Sequence, residues 1–88
     1  MYRIQFAETA DEDLDYWKMS GQLTIQTKIS RLLEDIRNHP LTGLGKPEAL
    51  RFNLSGLYSR RIDSKNRIVY SVDDTAGIVT IYSLRGHY

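Results

Sequence analysis

The fold class predicted by the sequence is α+β: an N-terminal strand, then two helices packed on a mainly antiparallel, twisted sheet. Three observations carry it. Apolar residues alternate at the start, recur at helical spacing through the first half, and alternate again in β-branched and aromatic runs after residue 50. Eighty-eight residues suffice for one core, since a chain this short buries only about 60–65% of its unfolded surface, so residues 1–88 are read as a single domain.

Tyr2, Ile4 and Phe6 alternate with Arg3 and Gln5, the period of a half-buried strand. Thr9 followed by Glu12 has the pattern of a capping box, and Asp11, Glu12 and Asp13 suit a first turn, where the helix dipole favours anions. A helix is predicted over about residues 9–19, stopped at Ser20-Gly21. Side chains at 11, 12 and 13 splay around such a helix, which argues against a metal site there. Ile25, Ile29, Leu32, Leu33 and Ile36 mark a second helix. Pro40 ends it, with His39 placed to complement the dipole at its last turn. Residues 41–49 read as an ordered loop, and 50–54 as a short strand before a turn at Ser55-Gly56. Residues 57–62 and 67–72 form a hairpin, and 78–84 the final strand.

The hairpin register can be argued further. A three-residue loop, Asp63-Ser64-Lys65, pairs Ile62 with Asn66 and sets Arg61 opposite Arg67 on one face. Ile62, Ile68, Tyr70 and Val72 then share the other face, toward the helices. A two-residue loop would send the two arginines to opposite faces; the first register is favoured because it separates apolar residues from cations. Paired arginines repel each other, so the arrangement makes most sense around a shared phosphate.

Composition narrows the function classes. The 41% hydrophobic and 26% charged residues are ordinary for a soluble globular domain. The absence of cysteine excludes disulfides, thiolate metal sites and cysteine nucleophiles, and favours a cytoplasmic setting. No apolar run approaches a signal or membrane-spanning length. Residues 1–38 hold five Lys/Arg and seven Asp/Glu, whereas 39–88 hold seven and four, so a polyanion would meet the second half. Between Gly43 and Tyr70 the chain sets Glu48 among Lys46, Arg51, Arg60, Arg61, Lys65 and Arg67. Taken alone, Glu48 is an ordinary surface carboxylate and His87-Tyr88 an ordinary chain end.

Their conjunction changes that reading. The run Gly43-Leu-Gly-Lys-Pro-Glu48, continuing through Asn53-Leu-Ser-Gly56, Ser59-Arg-Arg-Ile62 and Arg67-Ile-Val-Tyr70 to His87-Tyr88, resembles the YoeB/Txe toxins of the RelE superfamily. The resemblance implies a RelE-like microbial RNase fold and a type II toxin–antitoxin toxin that enters the ribosomal A site and cuts mRNA. Carried over by position, Glu48 is implied as general base, Arg67 as phosphate-stabilising residue, His87 as general acid and Tyr88 as a catalytic or base-positioning residue. Arg61 matches a second arginine of the site, and Lys46 and Arg51 are implied as RNA phosphate contacts. Arg51 stands where a lysine is usual, Tyr58 replaces a frequent tryptophan, and Gly86 precedes His87 where a bulkier residue is common. The implied partners are a YefM/Axe-like antitoxin that covers the site and the 70S ribosome with its A-site mRNA. No membrane and no cofactor or metal is implied, and a homodimer is left open.

The residues themselves allow the chemistry. RNA can be cut by its own 2′-hydroxyl if a base takes that proton, cations stabilise the phosphorane oxygens and an acid protonates the leaving 5′-oxygen. Glu48, the arginine pair and His87, histidine being the side chain whose unperturbed pKa, about 6.5, lies nearest neutrality, supply one candidate for each role. Two alternatives remain at this stage: a non-catalytic ParE-like toxin that binds gyrase, and an RNA-binding module without cleavage.

Overall fold

The structure, a computed structural model, describes residues 1–86. Strand β1 (Arg3–Phe6) leads into α1 (Glu8–Ser20) and α2 (Leu23–Asn38), and four strands follow: β2 (Glu48–Ala49), β3 (Tyr58–Arg61), β4 (Arg67–Asp73) and β5 (Ile78–Ser83). They form one sheet in the order β1-β5-β4-β3-β2. β1 lies parallel to β5, and the other pairs are antiparallel. The α1–α2 hairpin is therefore the crossover that returns the chain past β1 to build the rest of the sheet. Among the described residues no helix is long and apolar enough to cross a membrane.

The core lies between the helices and one sheet face. Ala10 and Trp17 from α1 and Ile29, Leu32 and Ile36 from α2 pack with Ile62, Ile68, Tyr70, Val79, Ile81 and Leu84. The α2 periodicity thus has the expected consequence, and Tyr2, just ahead of β1, packs with Ile4 and Phe6 of β1 against the same cluster. Gly21, in the left-handed region at φ 71°, closes α1 as expected.

Two elements differ from the sequence reading. α1 begins at Glu8, its N-cap Ala7 makes no side-chain cap, and no capping box forms at Thr9. The Thr9 hydroxyl instead donates to the Tyr82 carbonyl at 2.6 Å, joining the helix start to β5. The expected strand at 50–54 is displaced: β2 occupies Glu48–Ala49, and Phe52–Leu54 form a single 3-10 turn. The Leu50 N–H still reaches the Leu57 carbonyl at 2.9 Å, but Asn53-Leu-Ser-Gly56 is turn chemistry, and it outweighs the three alternating apolar residues Leu50, Phe52 and Leu54. Glu48 consequently sits on an edge strand rather than in a loop.

Arg60 is fully buried, and it organises the segment leading to β2. Its Nη1 bonds Asp35 Oδ2 at 2.5 Å and the Leu44 carbonyl at 3.1 Å. Nη2 donates to the carbonyls of His39 and, at 2.9 Å, Thr42. Nε donates to the Tyr70 hydroxyl at 3.1 Å, which itself donates to the Pro40 carbonyl at 2.6 Å. One guanidinium, with its five N–H donors used, replaces the secondary structure that residues 39–44 lack. The loop can lie this close only with glycine at two points. A Cβ on Gly43 would fall 2.1 Å from Asp35 Oδ2, and one on Gly45 would fall 2.8 Å from Leu32 Cδ2.

Partial burial pushes the Asp35 carboxyl up, but the Arg60 hydrogen bond, the Leu44 N–H and the charges of Arg60 and His39 outweigh it, and the pKa lies below the ordinary value. A carboxylate with a depressed folded pKa contributes stability that is fully present above its unfolded value of about 3.9 and is lost as pH falls through the folded value. The urea midpoint is therefore expected to fall between pH 5 and pH 2.5, with a shallower fall in Asp35→Asn. An equal slope in the two proteins would remove Asp35 from the acid transition.

Candidate active site

The strand register sorts the cations. Arg61 lies opposite Arg67 in the β3–β4 ladder, and the Ile62 N–H meets the Asn66 carbonyl at 2.9 Å, as the three-residue loop requires. Arg61 and Arg67 share a face with Ser59 and Val69, while Arg60, Ile62, Ile68 and Tyr70 share the helix-facing side. The basic stretch is therefore divided: Arg60, counted at the sequence level among the cations around Glu48, belongs to the core.

Glu48 pairs with Ser59 across β2–β3, which places it on the face of Arg61 and Arg67. Its Oε1 lies 3.7 Å from Arg67 Nη1; the carboxylate side chain is 58% exposed and that of the arginine 18%. At that separation the contact is an ion pair and not a short hydrogen bond. Edge position and exposure leave the carboxylate on the solvent side. The more buried arginine is the fixed partner.

Gly86 is held beside Arg67. The Arg67 N–H donates to the Gly86 carbonyl at 3.2 Å, and the Gly86 N–H donates to Asn66 Oδ1 at 2.8 Å. The Asn66 amide is itself oriented, its Nδ2 donating to the Asp63 carboxylate at 3.1 and 3.3 Å. Asp63 Oδ1 also accepts the N–H groups of Lys65 and Asn66, each at 2.8 Å. Burial pushes the Asp63 pKa up, yet these bonds and the Lys65 charge hold it below the ordinary value. From the other side, Trp17 Nε1 donates to the Leu84 carbonyl at 2.8 Å, the Leu84 N–H donates to Asp13 Oδ2 at 2.9 Å, and the Arg85 guanidinium lies 3.6 Å over the Tyr16 ring. His87 and Tyr88 lie outside the described residues.

The remaining predicted residues fall around two hollows. Glu48 and Arg51 line a groove of about 740 Å³ along residues 48–54. Lys46 and Arg61, with Lys28 from α2 and Asp63, line a second of about 410 Å³. Residues 46–52 are conformationally unusual: Lys46 at φ 54° and Phe52 at φ 60° are the non-glycine residues with positive φ among the described residues, a conformation costing on the order of 1 kcal/mol each. They bracket β2 and Glu48. The residues not anticipated in this constellation are Asp63, Asn66 and Asp13; an aspartate opening a tight loop is an Asx-turn signal, whereas nothing local marks Asp13 as a partner of residue 84.

A family model described as the YoeB-like toxin of bacterial type II toxin–antitoxin systems matches residues 6–88. The chain is 40% identical over 88 residues to Toxin YoeB of Mycobacterium bovis, covering 100% of both chains. Among solved structures, a YoeB/ParE toxin from Agrobacterium tumefaciens superposes with a TM-score of 0.92 at 30% identity, covering 100% of both chains. YoeB of Staphylococcus aureus has been solved in a YoeB–YefM complex, with a TM-score of 0.85, 40% identity and coverage of 100% of this chain and 99% of that one. It has also been solved as a dimer, with a TM-score of 0.85, 43% identity and coverage of 99% and 98%.

Proposed function

The chain belongs to the YoeB-like toxins of bacterial type II toxin–antitoxin systems, and from that premise we propose that it is a ribosome-dependent, metal-independent mRNA endonuclease. The observation that carries the reading is the approach of Glu48 to Arg67 at 3.7 Å on the face shared with Arg61. A pure binding surface does not require an acid set against its fixed arginine. In the proposed reaction Glu48 takes the proton of the 2′-hydroxyl as the 2′-oxygen bonds to phosphorus. Arg67, with Arg61, holds the phosphorane oxygens. The bond to the 5′-oxygen breaks as His87 donates its proton, leaving a 2′,3′-cyclic phosphate and a 5′-hydroxyl. Tyr88 positions the reacting nucleotide, and Lys46 and Arg51 hold flanking phosphates.

The proposed partners are a cognate antitoxin of the kind complexed with the S. aureus relative, laid over this face, and the 70S ribosome in the cytoplasm. A second copy of the chain fits the dimer of that relative. The reading is tested by incubating the toxin with one mRNA free and on programmed ribosomes. Cleavage at the A-site codon is expected on ribosomes and not on free mRNA. Arg67→Ala should slow it about 100-fold, the scale for losing a donor to a developing oxyanion. Inhibition of DNA supercoiling without cleavage, or an Arg67→Ala effect confined to antitoxin affinity, would contradict it.

A further inference from the structure

Phe52 is 90% exposed and holds a left-handed backbone at φ 60°. Bulky side chains avoid that conformation, which asparagine and glycine adopt more readily. The fold therefore has no packing use for the ring and a conformational reason to reject it. The left-handed turn has a local consequence: the Ser55 N–H reaches the Phe52 carbonyl at 3.1 Å and the Leu54 N–H the Arg51 carbonyl at 3.1 Å, so the backbone under the ring is fixed. The ring stands on the groove that Glu48 and Arg51 also line, about 740 Å³ in volume, which is ample for one nucleotide.

We propose that Phe52 is the stacking platform for a nucleobase of the bound RNA, beside the nucleotide whose 2′-hydroxyl faces Glu48. The inference rests on the endonuclease reading of the site. An exposed aromatic with a neighbouring arginine is the combination that grips single-stranded RNA, the cation taking phosphate and the ring taking any base face. The charge around the groove, Arg51 on its wall with Lys46 and Arg67 nearby in the chain and sheet, selects a polyanion as the occupant. Stacking on a fixed ring acts equally on ground and transition states, so its loss should appear in binding and not in the chemical step.

The test is single-turnover cleavage on programmed ribosomes as toxin concentration is varied, with Phe52→Asn and Phe52→Trp. Phe52→Asn is expected to raise the half-saturating concentration about 10-fold, within the range for one lost base stack, with the plateau rate kept. Its melting temperature should be equal or higher, because asparagine suits the left-handed turn. Phe52→Trp should restore wild-type saturation. An unchanged half-saturating concentration in Phe52→Asn, a failure of Phe52→Trp to restore it, or an effect on antitoxin affinity alone would overturn the proposal. Failure of the endonuclease reading would show differently, as a wild type that does not cleave or a Glu48→Gln variant that still does.

Discussion

Glu48→Gln is expected to lower the single-turnover rate of mRNA cleavage on programmed ribosomes by about 10²- to 10⁴-fold, the span for removing a general base. The amide keeps the size of the side chain and loses its capacity to take a proton, together with the charge that faces Arg67. Because Glu48 lies on an edge strand with its side chain largely exposed, the melting temperature and antitoxin binding should stay near wild type. His87→Gln should show a loss of similar order. The double variant should be little worse than either, since base and acid serve the same displacement and their effects do not add. Full activity in both single variants would remove these roles.

Arg60→Leu is expected to cost about 3–5 kcal/mol, the scale for breaking a buried ion pair from one side. The leucine leaves Asp35 without its guanidinium and the carbonyls of His39, Thr42 and Leu44 without the donors they meet in this fold. That is a large part of the roughly 5–10 kcal/mol that holds a domain of this size. Arg60→Lys should recover little, because an ammonium cannot reproduce a planar fork bonded at once to a carboxylate, carbonyls and the Tyr70 hydroxyl. Urea denaturation measures both, and a loss below about 1 kcal/mol in Arg60→Leu would show that the loop is held by something else. A partial loss should also disturb the Glu48 site, since residues 39–45 lead directly into β2.

Much of the fold was legible because its signals are periodic. The α2 stripe and the alternation in β1, β4 and β5 each name a buried face, and the hairpin register followed from keeping Ile62, Ile68 and Tyr70 together. The same register also implied the fate of Arg60: if Arg61 faces Arg67, its neighbour must point to the helices with Ile62. Counting cations along the chain concealed this. Charge composition carries no direction, whereas strand alternation does. The edge at residues 48–54 was misread because a two-residue strand is too short for periodicity to register, and its 3-10 turn depends on one left-handed residue. The capping box at Thr9 was lost to a tertiary partner, the Tyr82 carbonyl, which local pattern cannot contain. Of the site, the pairing of Arg61 with Arg67 follows from the hairpin register, whereas the approach of Glu48 to Arg67 depends on the β2–β3 pairing, where a loop was expected. The tether from Asp63 through Asn66 to Gly86 spans residues far apart in the chain and needed the structure.

The most direct test of the central claim, that Glu48 and Arg67 sit where a 2′-hydroxyl attacks its own phosphate, is the chemistry of the ends left on the mRNA. Fragments from wild-type toxin on programmed ribosomes are expected to carry a 2′,3′-cyclic phosphate or 3′-phosphate upstream and a 5′-hydroxyl downstream. A single 2′-deoxy substitution at the cleaved nucleotide should block the cut. A 5′-phosphate with a 3′-hydroxyl, or undiminished cleavage of the 2′-deoxy message, would contradict it.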